Sequence, residues 1–244
     1  MPEKVIIAMS GGVDSSVAAY LCCKAGFDCI GVTMKLFTND ALSLPREHSC
    51  CSLDDVEDAR SVAEQLGMPY HVFNFADRFE SCVINRFVHA YENGETPNPC
   101  IDCNRYLKFE KLYQRAQELG CTHVVTGHYA RIERAENGRF LLKKGLDPTK
   151  DQSYVLYCLT QQQLAHTLFP LGGMEKTAVR ALADENGFCN GQKPDSQDIC
   201  FVQNGDYADF IEGYTKKHYP PGPFVRRDGT VVGEHRGIIR YTVG

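Results

Sequence analysis

The sequence predicts an α/β fold in which a doubly wound parallel sheet is followed by a truncated β-rich domain. Short apolar strands alternate with helical segments through most of the 244 residues. A glycine-rich turn at residues 9–12 joins the first strand directly to a helix. From residue 219 onward, prolines and short β-like runs replace the alternating pattern, which favours a separate β-rich unit.

The individual elements follow from hydrophobic spacing and from the glycines that end helices. Helices are predicted at 15–25, 54–66, 78–91 and 106–119, with strands at 29–34, 70–75 and 123–126. A hairpin at 131–136 and 140–144 turns at Asn137 and Gly138. Later helices are expected over 164–185, broken at 170–173, and over 207–214, followed by β-like pieces near 224–225, 230–232 and 237–243. Two irregular loops interrupt the pattern, at 36–52 and at 93–103, and prolines keep the second one out of a helix.

Charge and composition exclude several classes of protein. With 31 acidic and 26 basic residues the net charge is −5, which gives no sign of nucleic-acid binding by the whole molecule. Basic side chains do crowd the second half, as phosphate contacts or as ordinary solvated charges: Lys143, Lys144, Lys150, Lys216, Lys217, Arg226, Arg227, Arg236 and Arg240. No run of 18 apolar residues predicts a membrane span, and the 12 cysteines are expected to be reduced in a cytoplasmic protein.

The most informative segment is residues 4–16, where an apolar strand runs through Ser-Gly-Gly-Val-Asp-Ser-Ser into a helix. Gly11 and Gly12 permit a positive φ and a close approach of the backbone to a ligand, while N–H groups and serine hydroxyls favour a pyrophosphate. A glycine turn without a ligand is the alternative. The segment resembles the pyrophosphatase loop of adenylating PP-loop enzymes, which implies ATP and AMP transfer. Asp14 is then a candidate for arranging Mg²⁺ beside the leaving pyrophosphate.

Two cysteine segments supply the other candidates. Cys100 and Cys103 form a C-x-x-C, a spacing used in redox exchange and in metal binding. Cys200 follows a polar loop, and its side chain could return to the nucleotide site. The adjacent Cys50 and Cys51 could bind metal, but their diverging side chains favour plain packing.

Five separated segments together resemble the tRNA-specific 2-thiouridylase family over almost the whole chain. They are the glycine-rich loop, Gly-His-Tyr-Ala at 127–130, Lys-Asp-Gln-Ser-Tyr at 150–154 and the two cysteine segments, and the ending at 233–244 matches as well. The resemblance implies a PP-loop catalytic domain, of the adenine nucleotide α-hydrolase type, at 1–205. It also implies that 206–244 begins a small central β-rich domain and that a further C-terminal β domain is absent.

The implied activity is ATP-dependent tRNA 2-thiolation. ATP adenylates the C2 oxygen of the wobble uridine in the anticodon, and sulfur then replaces that oxygen. Cys200 is the expected persulfide intermediate, and Cys103 is the expected nucleophile that releases the sulfur by forming a disulfide with Cys200. The sulfur comes from a persulfide donor such as a cysteine desulfurase or a sulfur relay protein.

The resemblance also assigns binding roles. The expected ATP contacts are Ala8, Met9, Ser10, Gly11, Gly12, Val13, Asp14, Ser15, Met34 and Gly127. The expected tRNA contacts are Asn98, Pro99, Cys100, His128, Lys150, Asp151 and Gln152. Two of these residues have structural alternatives, because His128 could be a satisfied core histidine and Met34 could be plain strand-end packing.

One position departs from the family pattern. Many relatives have Asp where this chain has Cys100, so a carboxylate role does not carry over. Cys100, Cys103 and Cys200 together offer thiolates for a [4Fe-4S] cluster with one open iron. Two other functions are alternatives here: an adenylating PP-loop synthetase that amidates a small molecule, and a non-catalytic tRNA- or metal-binding module.

Overall fold

The computed structural model describes residues 2–37, 53–195, 199–202 and 205–242. Its strands are β1 Lys4–Ala8, β2 Asp28–Lys35, β3 Tyr70–Asn74, β4 His123–Val125, β5 Ala130–Arg134, β6 Phe140–Lys144, β7 Thr167–Leu168, β8 Gly222–Val225 and β9 Val231–His235. Five of them form a parallel sheet in the order β3-β2-β1-β4-β7, while β5-β6 and β8-β9 are antiparallel pairs. The predicted parallel sheet and the β-rich region after it are both confirmed.

Helices connect and cover these strands. They are α1 Val13–Lys24, α2 Leu53–Gln65, α3 (Ala76–Phe79, the π-helical Glu80–Ile84 and Asn85–Glu92), α4 (Pro99–Asp102, the π-helical Cys103–Lys111 and Leu112–Glu118), α5 Gln161–Ala165, α6 Lys176–Glu185 and α7 Tyr207–Thr215. Short 3₁₀ turns lie at Ser153–Val155 and Ile238–Arg240. Within the described ranges, no helix has the length and apolar character needed to cross a bilayer.

Alternation along the strands gives each face of the sheet its own core. Ile6 and its register partners Ile30 and Val124 enter one face, which we call the first core. The first core also contains buried side chains of α3, α4 and α7, namely Phe79, Phe87, Leu107, Leu112 and Phe210. The opposite face, the second core, contains Val5, Ile7 and Cys29 together with Val17, Ala59, Val62, Val179 and Ala183 from α1, α2 and α6. Helices on both faces are what a doubly wound sheet requires.

The strand order reverses between β1 and β4. From β1 the chain proceeds to β2 and β3 on one side, whereas β4 and β7 lie on the other. Open parallel sheets bind ligands outside the carboxyl ends of the strands at such a switch point. The glycine-rich loop after β1 and Gly127 after β4 both lie there.

Three local predictions were wrong. Pro99 begins α4 instead of keeping its segment out of a helix, because the missing N–H costs nothing at the first helical position. Residues 167–168 form the fifth parallel strand, β7, where a helix had been expected. The expected β piece at 237–243 contains the 3₁₀ turn Ile238–Arg240.

The domain boundary at residue 205 stays a prediction. Ala208, Phe210 and Ile211 of α7 are buried in the first core, so this helix packs on the sheet domain. Most of the predicted loop 36–52, including Cys50 and Cys51, lies outside the described residues, as do the last residues of the expected family ending at 233–244.

Candidate active site

The loop between β1 and α1 keeps backbone N–H groups for a ligand. Gly11 has a φ of +77°, and Gly12 precedes α1 in an extended conformation, with no side chain of the described residues capping the helix. A Cβ atom at Gly11 would lie 2.4 Å from the carbonyl oxygen of Asp55, so only glycine fits there. The first turn of α1 therefore has N–H groups and a helix dipole that favour an anion.

Serine hydroxyls hold the shape of this loop. The Ser15 hydroxyl donates to the carbonyl oxygen of Gly12 at 2.9 Å and accepts the Ser10 N–H at 3.2 Å. Ser16 donates to the same carbonyl oxygen at 3.2 Å. In this structure both hydroxyl protons are therefore used within the loop, and contact of the Ser15 and Ser16 hydroxyls with an anion stays a prediction. Backbone N–H groups and the exposed Ser10 are the better donors for a phosphate.

Gly127 brings the end of β4 against the glycine-rich loop. A Cβ atom at Gly127 would lie 2.8 Å from the carbonyl carbon of Asp14 and 2.9 Å from the nitrogen of Ser15. The segment after β4 and the segment after β1 therefore pack backbone against backbone at the switch point. The hydrophobic members of the expected nucleotide set pack into the cores, Ala8 and Met34 against the first, Met9 and Val13 in the second.

Asp14 is held by two side chains that the sequence analysis missed. The Lys176 ammonium lies 2.7 and 2.8 Å from its two oxygens, and the Tyr129 hydroxyl donates to it at 2.7 Å. Burial and the neighbouring Asp14 raise the pKa of Tyr129, so its hydroxyl keeps the proton that it donates. Lys176, the first residue of α6, is only 7% exposed. A buried ammonium needs carboxylate partners, and Asp14 is one of them.

Asp195 gathers three cations. Its carboxylate lies 2.8 Å from Lys150, 2.8 Å from Lys176 and 2.9 Å from Arg180. Loss of solvation raises the pKa of Asp195, but hydrogen bonds from Lys150 and Lys176 outweigh it and lower the pKa to about 2. Asp195 precedes Cys200 by five positions, so this ion cluster lies at the start of the segment that leads to that cysteine.

The side chain of Asn190 hydrogen-bonds to the glycine-rich loop and to the first turns of α1. Its side-chain nitrogen donates to the carbonyl oxygen of Gly11 at 3.0 Å and to the hydroxyl of Ser16 at 2.9 Å. The side chain is 2% exposed, so these hydrogen bonds are not replaced by water when they are lost. Asn190 therefore fixes the carbonyl that precedes the N–H groups of the loop.

We expect Asn190→Asp to weaken ATP binding by about tenfold or more. The new carboxylate has no proton to donate to Gly11, and its charge repels a triphosphate at the loop. Isothermal titration with ATP measures the change. Asn186→Asp is the matched control, because Asn186 donates to the carbonyl oxygen of Leu182 at 2.7 Å at the end of α6. Equal losses in the two variants would contradict a specific role of Asn190.

Asn98 and Pro99 start the helix that carries Cys103. The Asn98 side chain accepts the N–H of Cys100 at 3.1 Å, and Pro99 is buried at the first helical position. Cys103 begins the π-helical part of α4, a geometry frequent at functional sites. Asn98 and Cys100 themselves are exposed. The predicted base-contacting segment therefore presents one thiol to solvent one turn before Cys103.

Cys103 and Cys200 lie on the same side of the sheet. Both are reduced thiols whose half-buried side chains pack against the first core, as do Ala8 and Met34. The two cysteines therefore share a core with Ala8 and Met34, whereas Met9 and Val13 of the expected nucleotide set lie in the second core. Burial raises the pKa of the Cys103 thiol, although Lys108 opposes the shift. Burial therefore disfavours the Cys103 thiolate, which is the form that attacks another sulfur.

The cysteines that the structure describes do not form a metal site. Among the described residues, which include Cys100, Cys103 and Cys200, no group of three or more His, Cys, Asp or Glu side chains could hold a metal ion. The three thiols in this arrangement therefore do not fit a [4Fe-4S] cluster. The prediction of such a cluster is unsupported, and no reaction step is assigned to it.

Comparisons with known proteins identify the family of this chain. Residues 3–204 match the family described as tRNA methyl transferase HUP domain. The chain is 52% identical over 245 residues to the tRNA-specific 2-thiouridylase MnmA of Clostridioides difficile (strain 630), with 100% of this chain and 68% of that protein covered. The chain belongs to the tRNA-specific 2-thiouridylase family. The protein of the same name in Clostridium acetobutylicum is 50% identical over 244 residues, with the same coverage.

This 2-thiouridylase chain is also similar to a solved structure, in its fold alone. A 4-thiouridine synthetase in complex with RNA and ATP has a TM-score of 0.50 at 20% identity. The match covers 83% of this chain and 46% of the synthetase chain. It supports the fold of the parallel sheet with its flanking helices.

The expected tRNA contacts at 150–152 are engaged within the 2-thiouridylase chain itself. Lys150 pairs with Asp195, and Asp151 accepts the N–H of the residue after β6 at 2.8 Å. The Gln152 side chain accepts the N–H of Tyr129 at 3.1 Å. These bonds position the segment after Gly127, and direct contact of the three side chains with tRNA stays a prediction.

His128 is buried between aromatic rings. It is 8% exposed, its Nδ1 lies 2.7 Å from the Thr126 hydroxyl, and its ring packs against Phe109 and Phe169. Burial, assisted by the charge of Lys108, holds the pKa of His128 well below its ordinary value of 6.5. The neutral, enclosed ring favours the structural alternative, while the tRNA contact stays a prediction.

We expect His128 to make the protein less stable in mild acid. Between its lowered folded pKa and the ordinary value of 6.5, the unfolded chain binds a proton that the folded chain does not, so stability falls as pH drops below about 6.5. Urea unfolding at several pH values measures this slope. His128→Asn removes the titration and should flatten the curve in that range. Parallel curves for the two proteins would contradict the assignment.

Proposed function

We propose that this protein is an ATP-dependent tRNA-uridine 2-sulfurtransferase. It adenylates the C2 oxygen of the wobble uridine and replaces that oxygen with sulfur, giving 2-thiouridine, AMP and pyrophosphate. One observation carries the proposal: Cys103 and Cys200 pack against the same core as Met34 and as Ala8, the last residue of β1 before the glycine-rich loop. Family membership adds the substrate, because relatives that align with the whole chain are named tRNA-specific 2-thiouridylases.

In the first step the glycine-rich loop binds the triphosphate of ATP. Backbone N–H groups at the start of α1 and the Ser10 hydroxyl bind phosphate oxygens, while Gly127 lets the nucleotide approach the end of β4. Mg²⁺, when bound to the phosphates, stabilises the negative charge of the departing pyrophosphate. Asp14 follows the glycine-rich loop directly in the sequence and is the nearest carboxylate to it there. Tyr129 and Lys176 hold its side chain in place. AMP transfer turns the uridine oxygen into a good leaving group.

In the second step Cys200 carries the sulfur as a persulfide. The Cys103 thiolate attacks the Cys200 sulfur, the sulfur–sulfur bond of the persulfide breaks, and hydrosulfide leaves toward the adenylated carbon. The two cysteine thiols are oxidised to a disulfide, and the terminal sulfur is reduced to the sulfide level. Sulfide displaces AMP. A persulfide donor, such as a cysteine desulfurase or a sulfur relay protein, reloads Cys200, and an external thiol reductant reopens the disulfide.

The test is direct formation of the product. The protein is incubated with unmodified tRNA, ATP, Mg²⁺, a persulfide source and a thiol reductant, and the nucleoside at the wobble position is identified by mass spectrometry. We expect 2-thiouridine there, with one AMP per sulfur transferred. An amidating synthetase would not need tRNA, and it would release pyrophosphate when an amine and a small acid are supplied as substrates. A non-catalytic tRNA-binding module would release none. Either result would overturn the proposal.

A further inference from the structure

Two thiols outside the candidate site are in contact at the carboxyl end of α1. Cys23 lies in the last turn of α1, and Cys29 is the second residue of β2. Between them the chain reverses in a tight turn, where Gly26 has a φ of +84° and its N–H donates to the carbonyl oxygen of Cys23 at 3.0 Å. The start of β2 therefore lies beside the end of α1, and the two thiols hydrogen-bond to each other.

The two thiols differ in their access to solvent. Cys23 is half-buried, whereas Cys29 is 4% exposed and belongs to the second core. The Cys23 thiol also lies 4.0 Å from the thioether sulfur of Met68, and the Cys29 thiol donates to the carbonyl oxygen of Phe27 at 3.5 Å. A small reagent can therefore reach Cys23, while Cys29 is buried in contact with it.

The contact also separates the acidities of the neighbouring thiols. The hydrogen bond from Cys29 outweighs partial burial and lowers the pKa of Cys23 to about 7, and the same contact raises the pKa of Cys29. Burial raises the pKa of the adjacent Cys22 to about 12. Since the thiolate is the form of cysteine that attacks an electrophile, Cys23 is the reactive member of the three. A partly exposed thiol of low pKa beside a second thiol has the properties of a redox-active cysteine.

We propose that Cys23 and Cys29 form a redox-active dithiol that reacts with hydrogen peroxide. The Cys23 thiolate attacks one peroxide oxygen, the oxygen–oxygen bond breaks, and the departing hydroxide takes up a proton to become water. The sulfur of Cys29 then attacks the sulfenic acid on Cys23, and the hydroxyl group leaves with the Cys29 proton as a second water. Two thiols are thereby oxidised to one disulfide, and one peroxide is reduced to two waters. An external thiol reductant restores the pair by exchange.

This dithiol is separate from the cysteines of the proposed reaction. Cys23 lies at the end of α1 opposite the glycine-rich loop, and a helix of 12 residues is about 18 Å long. Cys23 and Cys29 pack in the second core, whereas Cys103 and Cys200 pack against the first core on the other face of the sheet. Oxidation of the dithiol therefore needs neither ATP nor tRNA, and the proposal goes beyond the proposed function.

The test detects the new bond directly. The whole protein is treated with hydrogen peroxide, the remaining thiols are blocked with N-ethylmaleimide, and the protein is digested with trypsin. Cleavage after Lys24 separates the two cysteines, so their disulfide joins the fragments 5–24 and 25–35 into one species that a thiol reductant splits. We expect this species to form about tenfold or more faster than Cys82, another half-buried thiol, is oxidised in the same sample.

Variants assign a role to each thiol. Cys23→Ser should abolish the cross-link, because it removes the attacking thiolate. Cys29→Ala removes the second thiol, so we expect a sulfenic acid to remain on Cys23, where dimedone traps it for mass spectrometry. Cys22→Ala is the matched control, since Cys22 is the adjacent thiol and is buried in the second core. It should change the rate of cross-linking by less than about twofold, and a thermal melt shows that each variant is folded.

Several results would overturn the dithiol. One is a disulfide between Cys22 and Cys23, which fragmentation of the peptide 5–24 identifies. Another is a cross-link between Cys23 and Cys29 in the unchanged protein that forms no faster than Cys82 is oxidised. Equal loss of the cross-link in Cys22→Ala and Cys23→Ser would also contradict the assignment. Failure to form 2-thiouridine bears on the proposed function alone, because the cross-link is measured without nucleotide or tRNA.

Discussion

Cys200→Ser abolishes 2-thiouridine formation, while release of pyrophosphate from ATP in the presence of tRNA continues. Serine cannot carry a persulfide, so the sulfur-transfer step loses its intermediate and we expect a fall of about 10³-fold or more. In the proposed mechanism adenylation uses the glycine-rich loop and Asp14, which this substitution leaves unchanged. Nucleoside analysis and a pyrophosphate assay, run on the same reaction, measure the two steps separately.

The other cysteines make this test specific. Cys103→Ser should stop product formation to a similar degree but leave a persulfide on Cys200, which intact-mass measurement detects as one extra sulfur. Cys82→Ser is the control, because Cys82 is another half-buried, reduced thiol and lies in α3 outside the candidate site. Full thiolation by Cys200→Ser would refute the persulfide role, and loss of pyrophosphate release would indicate a damaged fold.

Hydrophobic spacing predicted the parts of the fold that have enough residues to show a period. α1 and β3 were placed within one or two residues because each joins a regular apolar pattern to a glycine or polar boundary. β7 has only two residues, Thr167 and Leu168, and no period can be read from so short a strand. It forms because the partner β4 offers backbone hydrogen bonds, which is a tertiary effect.

The candidate site also contains residues that could be predicted from the sequence and residues that could not. Gly11 and Cys103 stand in local motifs whose chemistry can be read from neighbouring residues. Lys176 and Asn190 have no motif, and their importance lies entirely in distant partners that the fold brings to the glycine-rich loop. A lysine at the start of a helix is most often exposed, so its burial could not be read from the sequence. His128 shows the converse, because its motif was visible and its enclosure by Phe109 and Phe169 was not.

Gly127→Ala weakens ATP binding because the added methyl group forces the end of β4 away from the glycine-rich loop. The added Cβ would lie 2.8 Å from the carbonyl carbon of Asp14 and 2.9 Å from the nitrogen of Ser15, and both are backbone atoms that cannot rotate away. The end of β4 and the glycine-rich loop must then separate, at a cost of about 2 kcal/mol. Since the N–H groups that bind phosphate belong to the displaced segment, we expect ATP affinity to fall by about tenfold or more.

Gly173→Ala separates this clash from the general effect of losing a glycine. Gly173 has no positive φ, and a Cβ atom there has no described atom within 4 Å, so the same substitution should leave affinity and thermal stability nearly unchanged. Calorimetric titration with ATP and a thermal melt of each variant give both quantities. If Gly127→Ala bound ATP as tightly as Gly173→Ala, the approach of β4 to the loop would not be part of the nucleotide site, because a displaced loop cannot keep the same phosphate contacts.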